Sequence, residues 1–151
     1  LALVRHARDN AQQRILSACD LLGPAGETSV FVPMRRAARD GAVIELYFNR
    51  PTDSLREEDV EAARAQLERA GVSLTRSTTE LHGKFLAWDA DSLCVTSFNW
   101  LATTPDRWKP HAAEVGVFVT GAELNASLSA RLKGELAGAA TTAPHISAAI
   151  S

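Results

Sequence analysis

The sequence is poor in several features whose scarcity excludes particular classes of protein. Only two of the 151 residues are cysteine, Cys19 and Cys94, too few for a disulfide framework or for a metal site built from cysteines. Both lie in apolar, strand-like segments, so we expect buried free thiols and a reducing, cytoplasmic compartment. No signal-peptide pattern is visible and no apolar run approaches the roughly 20 residues that cross a bilayer, so no membrane association is expected.

Lysine is also scarce, occurring only at Lys84, Lys109 and Lys133, and the formal net charge is −2. This balance does not indicate a nucleic-acid-binding protein by itself, so any phosphate affinity must come from a local arrangement of side chains. Most of the positive charge is arginine. One arginine cluster, within 35–39, is expected to be a solvated helix face.

The length and composition fit one soluble globular domain, with 46% apolar and 23% charged residues. The chain begins with Leu1 rather than Met, so we expect it to be a piece of a longer polypeptide. From residue 138 onward it is rich in alanine, threonine and serine and has little to bury. We therefore expect a folded domain over 1–137 and a flexible tail or linker over 138–151.

Apolar runs typical of strands alternate with helical patterns along the domain. Capping boxes at Ser54-x-x-Glu57 and Thr120-x-x-Glu123 predict the starts of two of the helices. This alternation, followed by a hairpin, predicts an α/β fold with a mixed β-sheet sandwiched between helices. The predicted strands are 14–19, 42–48, 72–77 and 114–119, and the predicted helices are 1–13, 28–41, 54–70 and 120–136.

A β-hairpin is predicted where two apolar runs, 84–88 and 93–98, flank a short polar turn. The simplest hairpin closes with a two-residue loop at 90–91, which fixes the register of the whole pair. Because side chains alternate across a strand, a shift of one residue in this register would turn one strand over relative to the other.

That register places Lys84 opposite Ser97 and His82 opposite Asn99, so that four polar side chains share one face. Asp89 falls on the other face. Lys84 offers a compact positive charge. The Ser97 hydroxyl and the Asn99 carboxamide are neutral hydrogen-bond donors that can bind phosphate oxygens as the charge on those oxygens changes. Histidine is the one side chain of these four types that changes charge near neutral pH, so His82 is the candidate nucleophile or acid/base. Each could be an ordinary surface residue, but their coincidence favours a site.

These residues carry a resemblance to a known family. The run His82-x-Lys84-(x)4-Asp89 followed by Ser97-x-Asn99 resembles the HxKxxxxD and GSxN signature of the phospholipase D superfamily, including the spacing between the two motifs. The order of elements over 13–132 resembles one half of a phospholipase D-like unit.

The resemblance implies phosphodiester cleavage in two steps through a covalent phosphohistidine at His82, without a metal or other cofactor. It also implies that Glu114 orients the nucleophilic histidine. Asp89 belongs to the motif, but its position suggests a structural role. The sequence departs from the family at Thr96, where glycine is usual. The residues themselves also disfavour a metal, since the patch offers one imidazole and no carboxylate cluster.

The family joins two such motifs in one active site, and this chain has one. A second motif is therefore expected from a homodimer partner or from the missing part of the parent chain. DNA or RNA is favoured over phospholipid as the substrate, because the sequence shows no lipid-inserting helix or apolar lobe. Arg107, Trp108 and Lys109 are candidate substrate-binding residues, since cations interleaved with an aromatic ring suit single-stranded nucleic acid. Two alternatives stay open: a phospholipid phosphodiesterase or phosphatidyltransferase, and a non-catalytic nucleic-acid-binding module of a larger machine.

Overall fold

The computed structural model describes residues 2–26, 30–102, 113–122 and 124–136. The side chains of 126–129, 132 and 136 are outside this description. In chain order the elements are α1 (Ala2–Asn10), β1 (Arg14–Leu22), α2 (Val32–Arg39), β2 (Val43–Pro51), α3 (Glu57–Glu68), β3 (Val72–Arg76), β4 (Phe85–Trp88), β5 (Ser92–Thr96), β6 (Gly116–Thr120) and α4 (Leu124–Leu136).

The six strands form one mixed sheet in the order β3-β2-β1-β4-β5-β6. β1, β2 and β3 are parallel, joined by helices that cross over the sheet. β4, β5 and β6 run antiparallel to their neighbours. The carboxyl ends of β1 and β2 therefore meet the start of β4, the end of β5 and the start of β6 at one edge, which we call the upper edge. The predicted α/β fold with a mixed sheet is confirmed.

Helices cover both faces of the sheet, as predicted. On one face, α1, α2 and α3 pack against the larger of two apolar clusters. On the other, α4 is fastened to β2 by an ion pair of 2.7 Å between Lys133 Nζ and Glu45 Oε1. Buried residues on this second face belong to the smaller cluster, which comprises Leu16, Ala18, Tyr47, Leu81, Phe85, Ala87 and Leu93.

Several element boundaries differ from the sequence prediction near the upper edge, among them the ends of β1 and β2 and the starts of α3 and β6. β1 does not stop at residue 19, because its last residues continue pairing with β2 as far as Leu22 opposite Pro51. The third helix begins at Glu57 rather than at a cap on Ser54. The Asp59 carboxylate accepts the backbone N–H of Arg56 at 3.3 Å, which closes the first turn there instead.

The predicted hairpin exists, but its predicted register is wrong by one residue. Trp88 pairs with Ser92, so the loop is the three residues 89–91 rather than two. Asp89 adopts a left-handed backbone with φ 49°, which adds a residue to the turn. At the other end of the hairpin, the Thr96 N–H donates to the carbonyl of Lys84 at 3.0 Å.

This shift removes the cross-strand pairs that the sequence predicted. Lys84 does not lie opposite Ser97, and both His82 and Asn99 lie beyond the ends of the paired strands. Cys94 pairs with Leu86, and both pack in the larger cluster. The polar residues must therefore be brought together by the upper edge of the sheet rather than by one face of a hairpin.

Asp89 holds the lower end of β4 against the start of β1. Its Oδ1 accepts the backbone N–H groups of Gln13 at 2.9 Å and Arg14 at 3.1 Å, and its Oδ2 accepts that of Gln12 at 2.9 Å. The Asp89 N–H in turn donates to the Arg14 carbonyl at 3.0 Å. A charged acceptor for three consecutive amides is a strong local constraint, and it acts at the edge opposite His82.

The start of α4 fixes the loop of the hairpin. The buried side chain of Asn125 donates to the carbonyl of Ser92, and its backbone N–H donates to the carbonyl of Ala90 at 2.7 Å. The predicted capping residue Glu123 and the predicted tail 138–151 lie outside the described residues.

Both cysteines are free and buried. Burial raises the pKa of the Cys19 thiol to about 12, and it raises that of Cys94 as well. The thiolate is the reactive form, so neither side chain is suited to nucleophilic chemistry near neutral pH. Among the described helices, none is long and apolar enough to cross a bilayer.

We predict that Asp89→Asn lowers the free energy of unfolding by about 2 kcal/mol, because the amides of 12–14 lose their charged acceptor. Asparagine tolerates the left-handed backbone, so the variant removes charge without adding strain. Urea unfolding measures the change. The matched control is Asp53→Asn in the exposed loop after β2, expected to stay within about 0.5 kcal/mol of the parent. Equal losses in the two variants would contradict the assigned role.

Candidate active site

Polar side chains from five strands converge on the upper edge of the sheet. Asp20 and Asn49 lie near the ends of β1 and β2, while the remaining residues precede or follow strands: His82 and Lys84 precede β4, Ser97 and Asn99 follow β5, and Glu114 precedes β6. In open sheets with parallel strands, ligands bind at such carboxyl ends. The upper edge therefore brings together five residues that the sequence nominated and two that it did not.

The imidazole of His82 is largely open to solvent, with 86% of its side chain exposed. Its Nδ1 lies 3.6 Å from Oδ2 of Asp20, whose side chain is only 9% exposed. This is longer than a hydrogen bond, yet catalytic contacts are often long in the absence of substrate. The arrangement directs one ring nitrogen at a carboxylate and leaves Nε2 available to a substrate.

Asp20 is anchored by its neighbours on β2. Its Oδ1 accepts a hydrogen bond of 3.3 Å from Asn49 Nδ2, and Arg50 Nε lies 3.9 Å from the same oxygen. A buried carboxylate needs such partners to offset its lost hydration. These contacts occupy one oxygen and leave the other facing the His82 ring.

Lys84 and Asn99 contribute donors beside this pair. Lys84 Nζ donates to the carbonyl of His82 at 3.1 Å, which folds the side chain back along the 82–84 segment. An ammonium has two further N–H groups, so its charge can still serve a ligand. Asn99 Oδ1 lies 3.5 Å from the backbone N–H of Leu21, next to Asp20, and this orientation leaves the carboxamide NH2 as a donor.

Glu114 bonds Ser97 rather than the histidine. The Ser97 hydroxyl donates to Glu114 Oε2, and the backbone N–H of Val115 donates to the Ser97 Oγ at 3.0 Å. The expectation that Glu114 orients His82 is not what the described geometry shows; the carboxylate placed against that ring belongs to Asp20. Because Ser97 and Glu114 join β5 to β6, the pair also fixes the edge strand.

Thr96, the departure from the family pattern, is accommodated by the same junction. Its Oγ1 donates to the Val115 carbonyl at 3.0 Å and accepts the Phe98 N–H at 3.2 Å. A hydroxyl at this position thus secures the turn that carries Ser97 out of β5. Its close approach to Gly116 leaves little room for a larger residue there, since a Cβ on that glycine would lie 3.1 Å from Thr96.

Asp89 is not part of the upper edge, since it lies at the far end of β4. Arg107, Trp108 and Lys109, the candidates for binding nucleic acid, lie outside the described residues. Within the described ranges, no group of three or more histidine, cysteine, aspartate or glutamate side chains is arranged to hold a metal ion.

The sequence analysis did not identify Asp20, which lies just after the predicted strand 14–19. One signal could have identified it: a carboxylate at the carboxyl end of a buried parallel strand, on a sheet whose other strand ends carry the motif. Asn49 has the same position on the next strand. Together the seven residues offer a histidine with an adjacent carboxylate, one cation and several neutral donors. Such a set can attack an electrophile and stabilise the oxyanion that develops.

Comparison with known proteins gave matches by structure alone. No protein-family model matches the sequence, and no curated protein gives a significant sequence match. The structure of Nuc from Salmonella typhimurium, a phospholipase D family member, matches with a TM-score of 0.65 at 17% identity, covering 89% of this chain and 84% of Nuc.

Two larger proteins each contain a region with a similar fold. Polyphosphate kinase from Porphyromonas gingivalis matches with a TM-score of 0.65 at 14% identity, over 94% of this chain and 24% of the kinase. TrmBL2, an archaeal chromatin protein with a novel mode of DNA binding, matches with a TM-score of 0.56 at 15% identity, over 87% of this chain and 46% of TrmBL2. The agreement extends over nearly the whole chain and includes the mixed sheet that presents the upper edge. The chain therefore has the fold of the phospholipase D superfamily.

Proposed function

We propose that this chain is a metal-independent phosphodiesterase that cleaves DNA or RNA through a phosphohistidine at His82. The observation that carries the proposal is the geometry of His82, exposed at the upper edge with its Nδ1 directed at the buried Asp20. A carboxylate at Nδ1 favours the tautomer whose Nε2 has a free lone pair, and it stabilises the positive charge that forms on the ring during attack.

In the first step, Nε2 of His82 attacks phosphorus, and the bond from phosphorus to the leaving oxygen breaks. Lys84 and the Asn99 carboxamide stabilise the charge on the non-bridging oxygens. The leaving oxygen takes a proton from a general acid. In the second step, water attacks phosphorus, the general acid now accepts its proton, and the N–P bond breaks to restore the imidazole.

A second histidine motif supplies that general acid, from a homodimer partner or from another part of the parent chain. The exposed edge strand supports this part of the proposal. Large apolar side chains of β6 and of the residue just before it are open to solvent: Val115 is 74% exposed and Val117 is 63% exposed. An apolar edge beside Glu114 suits the docking of a second half. A strictly monomeric chain with full activity would contradict the two-motif requirement.

Nucleic acid is the proposed substrate class in part because one protein with this fold, TrmBL2, is described by its DNA binding. The lipid alternative would be supported by turnover of phosphatidylcholine vesicles with no cleavage of oligonucleotides. The third reading, a binding module without catalysis, would be supported by oligonucleotide binding that leaves the strand intact.

We predict cleavage of single-stranded DNA or RNA in excess EDTA, with a loss of at least about 10³-fold in His82→Asn, because the nucleophile is removed. The matched control is His6→Asn, since His6 lies on α1 against Trp88, at the lower end of the sheet. This control is expected to keep the parent rate. Activity that survives in His82→Asn, or that disappears with EDTA, would contradict the mechanism.

We predict that Asp20→Asn lowers kcat by about 100-fold, more than Glu114→Gln does, because Asp20 positions the nucleophilic ring. A purely structural role would lower stability without changing the pH profile, so the profile of kcat is measured together with urea unfolding. On the alkaline plateau of the pH profile, kcat should fall most in Asp20→Asn and least in Glu114→Gln. The opposite order would restore Glu114 as the residue that orients His82.

A further inference from the structure

A groove runs along α3, away from the upper edge, on the face of the sheet that α1, α2 and α3 cover. It has a volume of about 570 Å³ and begins at Leu22 and Gly23, where β1, the strand that carries Asp20, ends. It follows α3 along Ala62 and Ala63 and reaches Arg69 at the end of that helix. We call it the α2–α3 groove. Since α3 has 12 residues, the groove extends roughly 18 Å from the upper edge.

At its far end the groove meets a second cavity of about 340 Å³, which shares Gln66 and Arg69 with it. Two more guanidinium groups, those of Arg35 and Arg39 on α2, line this cavity. We call Arg35, Arg39 and Arg69 the arginine cluster. Arginines near the carboxyl end of a helix interact favourably with the helix dipole. That interaction can explain arginines on a single helix, but it does not explain why arginines from two helices line the same cavity.

Like charges gathered around one cavity repel unless an anion lies among them. The neighbouring carboxylates on α3 are engaged elsewhere: Asp59 contacts Arg56 at 3.4 Å, and Glu61 and Glu68 contact Arg64 at 3.5 and 3.7 Å. Among the described residues, no ion pair joins a carboxylate to the arginine cluster, so its charge is available to a ligand.

One member of the cluster is held in place and is still incompletely satisfied. Arg35 Nη2 donates to Gln66 Oε1 at 2.7 Å, which orients the guanidinium across the gap between α2 and α3. Its Nε is buried and has no hydrogen-bond partner in the part of the chain that the structure describes. The buried Nε is not itself open to a ligand, but the planar guanidinium lines the cavity, and such a group is suited to phosphate oxygens.

We propose that the α2–α3 groove holds the single-stranded tail of a nucleic-acid substrate, with its phosphates bound by the arginine cluster. The proposal rests on the proposed nuclease function and adds the substrate's path: an extended polyanion bound at the upper edge and again at the far end of the groove. It also differs from the sequence interpretation, in which the arginines of α2 are a solvated face.

The test measures binding rather than cleavage, so that its failure is separate from a failure of the proposed chemistry. In a His82→Asn background, fluorescence anisotropy follows the affinity for a labelled dinucleotide and for a single-stranded oligonucleotide of about 15 nucleotides. The double variant Arg39→Gln/Arg69→Gln is expected to weaken binding of the longer strand by about tenfold, because each substitution removes about one exposed charged contact with a phosphate. The affinity for the dinucleotide is expected to stay at the parent value.

The control Arg5→Gln/Arg131→Gln removes the same charge outside the groove, from exposed positions on α1 and α4. It should keep the affinity for the longer strand within about twofold of the parent. The slope of log K against log salt should fall by about 1.4 in the groove variant, as for two lost phosphate contacts.

The proposal is overturned if the control and the groove variant weaken binding equally, since net charge alone would then explain the loss. It is also overturned if both ligands lose affinity to the same degree, if the parent binds no oligonucleotide, or if phosphatidylserine vesicles bind the arginine cluster in preference to the longer strand. Binding that follows the expected pattern, together with no cleavage of the same oligonucleotide by the chain that retains His82, would support the groove while rejecting the proposed nuclease activity.

Discussion

The antiparallel pairing of β4 with β1 is the contact on which the rest of the structure depends. It inserts the motif-bearing strand at the centre of the sheet and brings its start to the end of β1, so that His82 meets Asp20. Asp89 secures the opposite end through the amides of 12–14. The motif thus spans both ends of a four-residue strand, with His82 and Lys84 at the upper edge and Asp89 as an anchor at the lower.

The same constraint explains how far the sequence could predict the structure. Periodicity and turn residues predicted every strand and the mixed α/β sheet, because those signals are local. The hairpin register was wrong because it depends on Asp89, whose left-handed backbone is stabilised by amides about 75 residues earlier in the chain. Turn composition alone does not reveal such a long-range contact, and a three-residue loop reverses the facing of β5 relative to β4.

The candidate site was predictable in composition but not in its internal partners. His82, Lys84, Ser97, Asn99 and Glu114 all lie at the upper edge, although through strand ends rather than through one hairpin face. The partner of His82 was missed, because a contact between Asp20 and His82 requires knowing that β4 lies beside β1. Similarly, the arginines of α2 acquire a candidate role only when α3 adds Arg69 and Gln66 to the same cavity.

The central claim is that His82 becomes covalently attached to the substrate's phosphorus, and the most direct measurement is mass spectrometry of a reaction quenched during turnover. Incubation with a single-stranded oligonucleotide in EDTA, followed by alkaline quenching and proteolysis, should give a nucleotide adduct on the peptide that contains His82. The adduct should be labile to acid and absent from His82→Asn. Cleavage during which no adduct accumulates under rapid quench, or an adduct on another residue, would contradict the account.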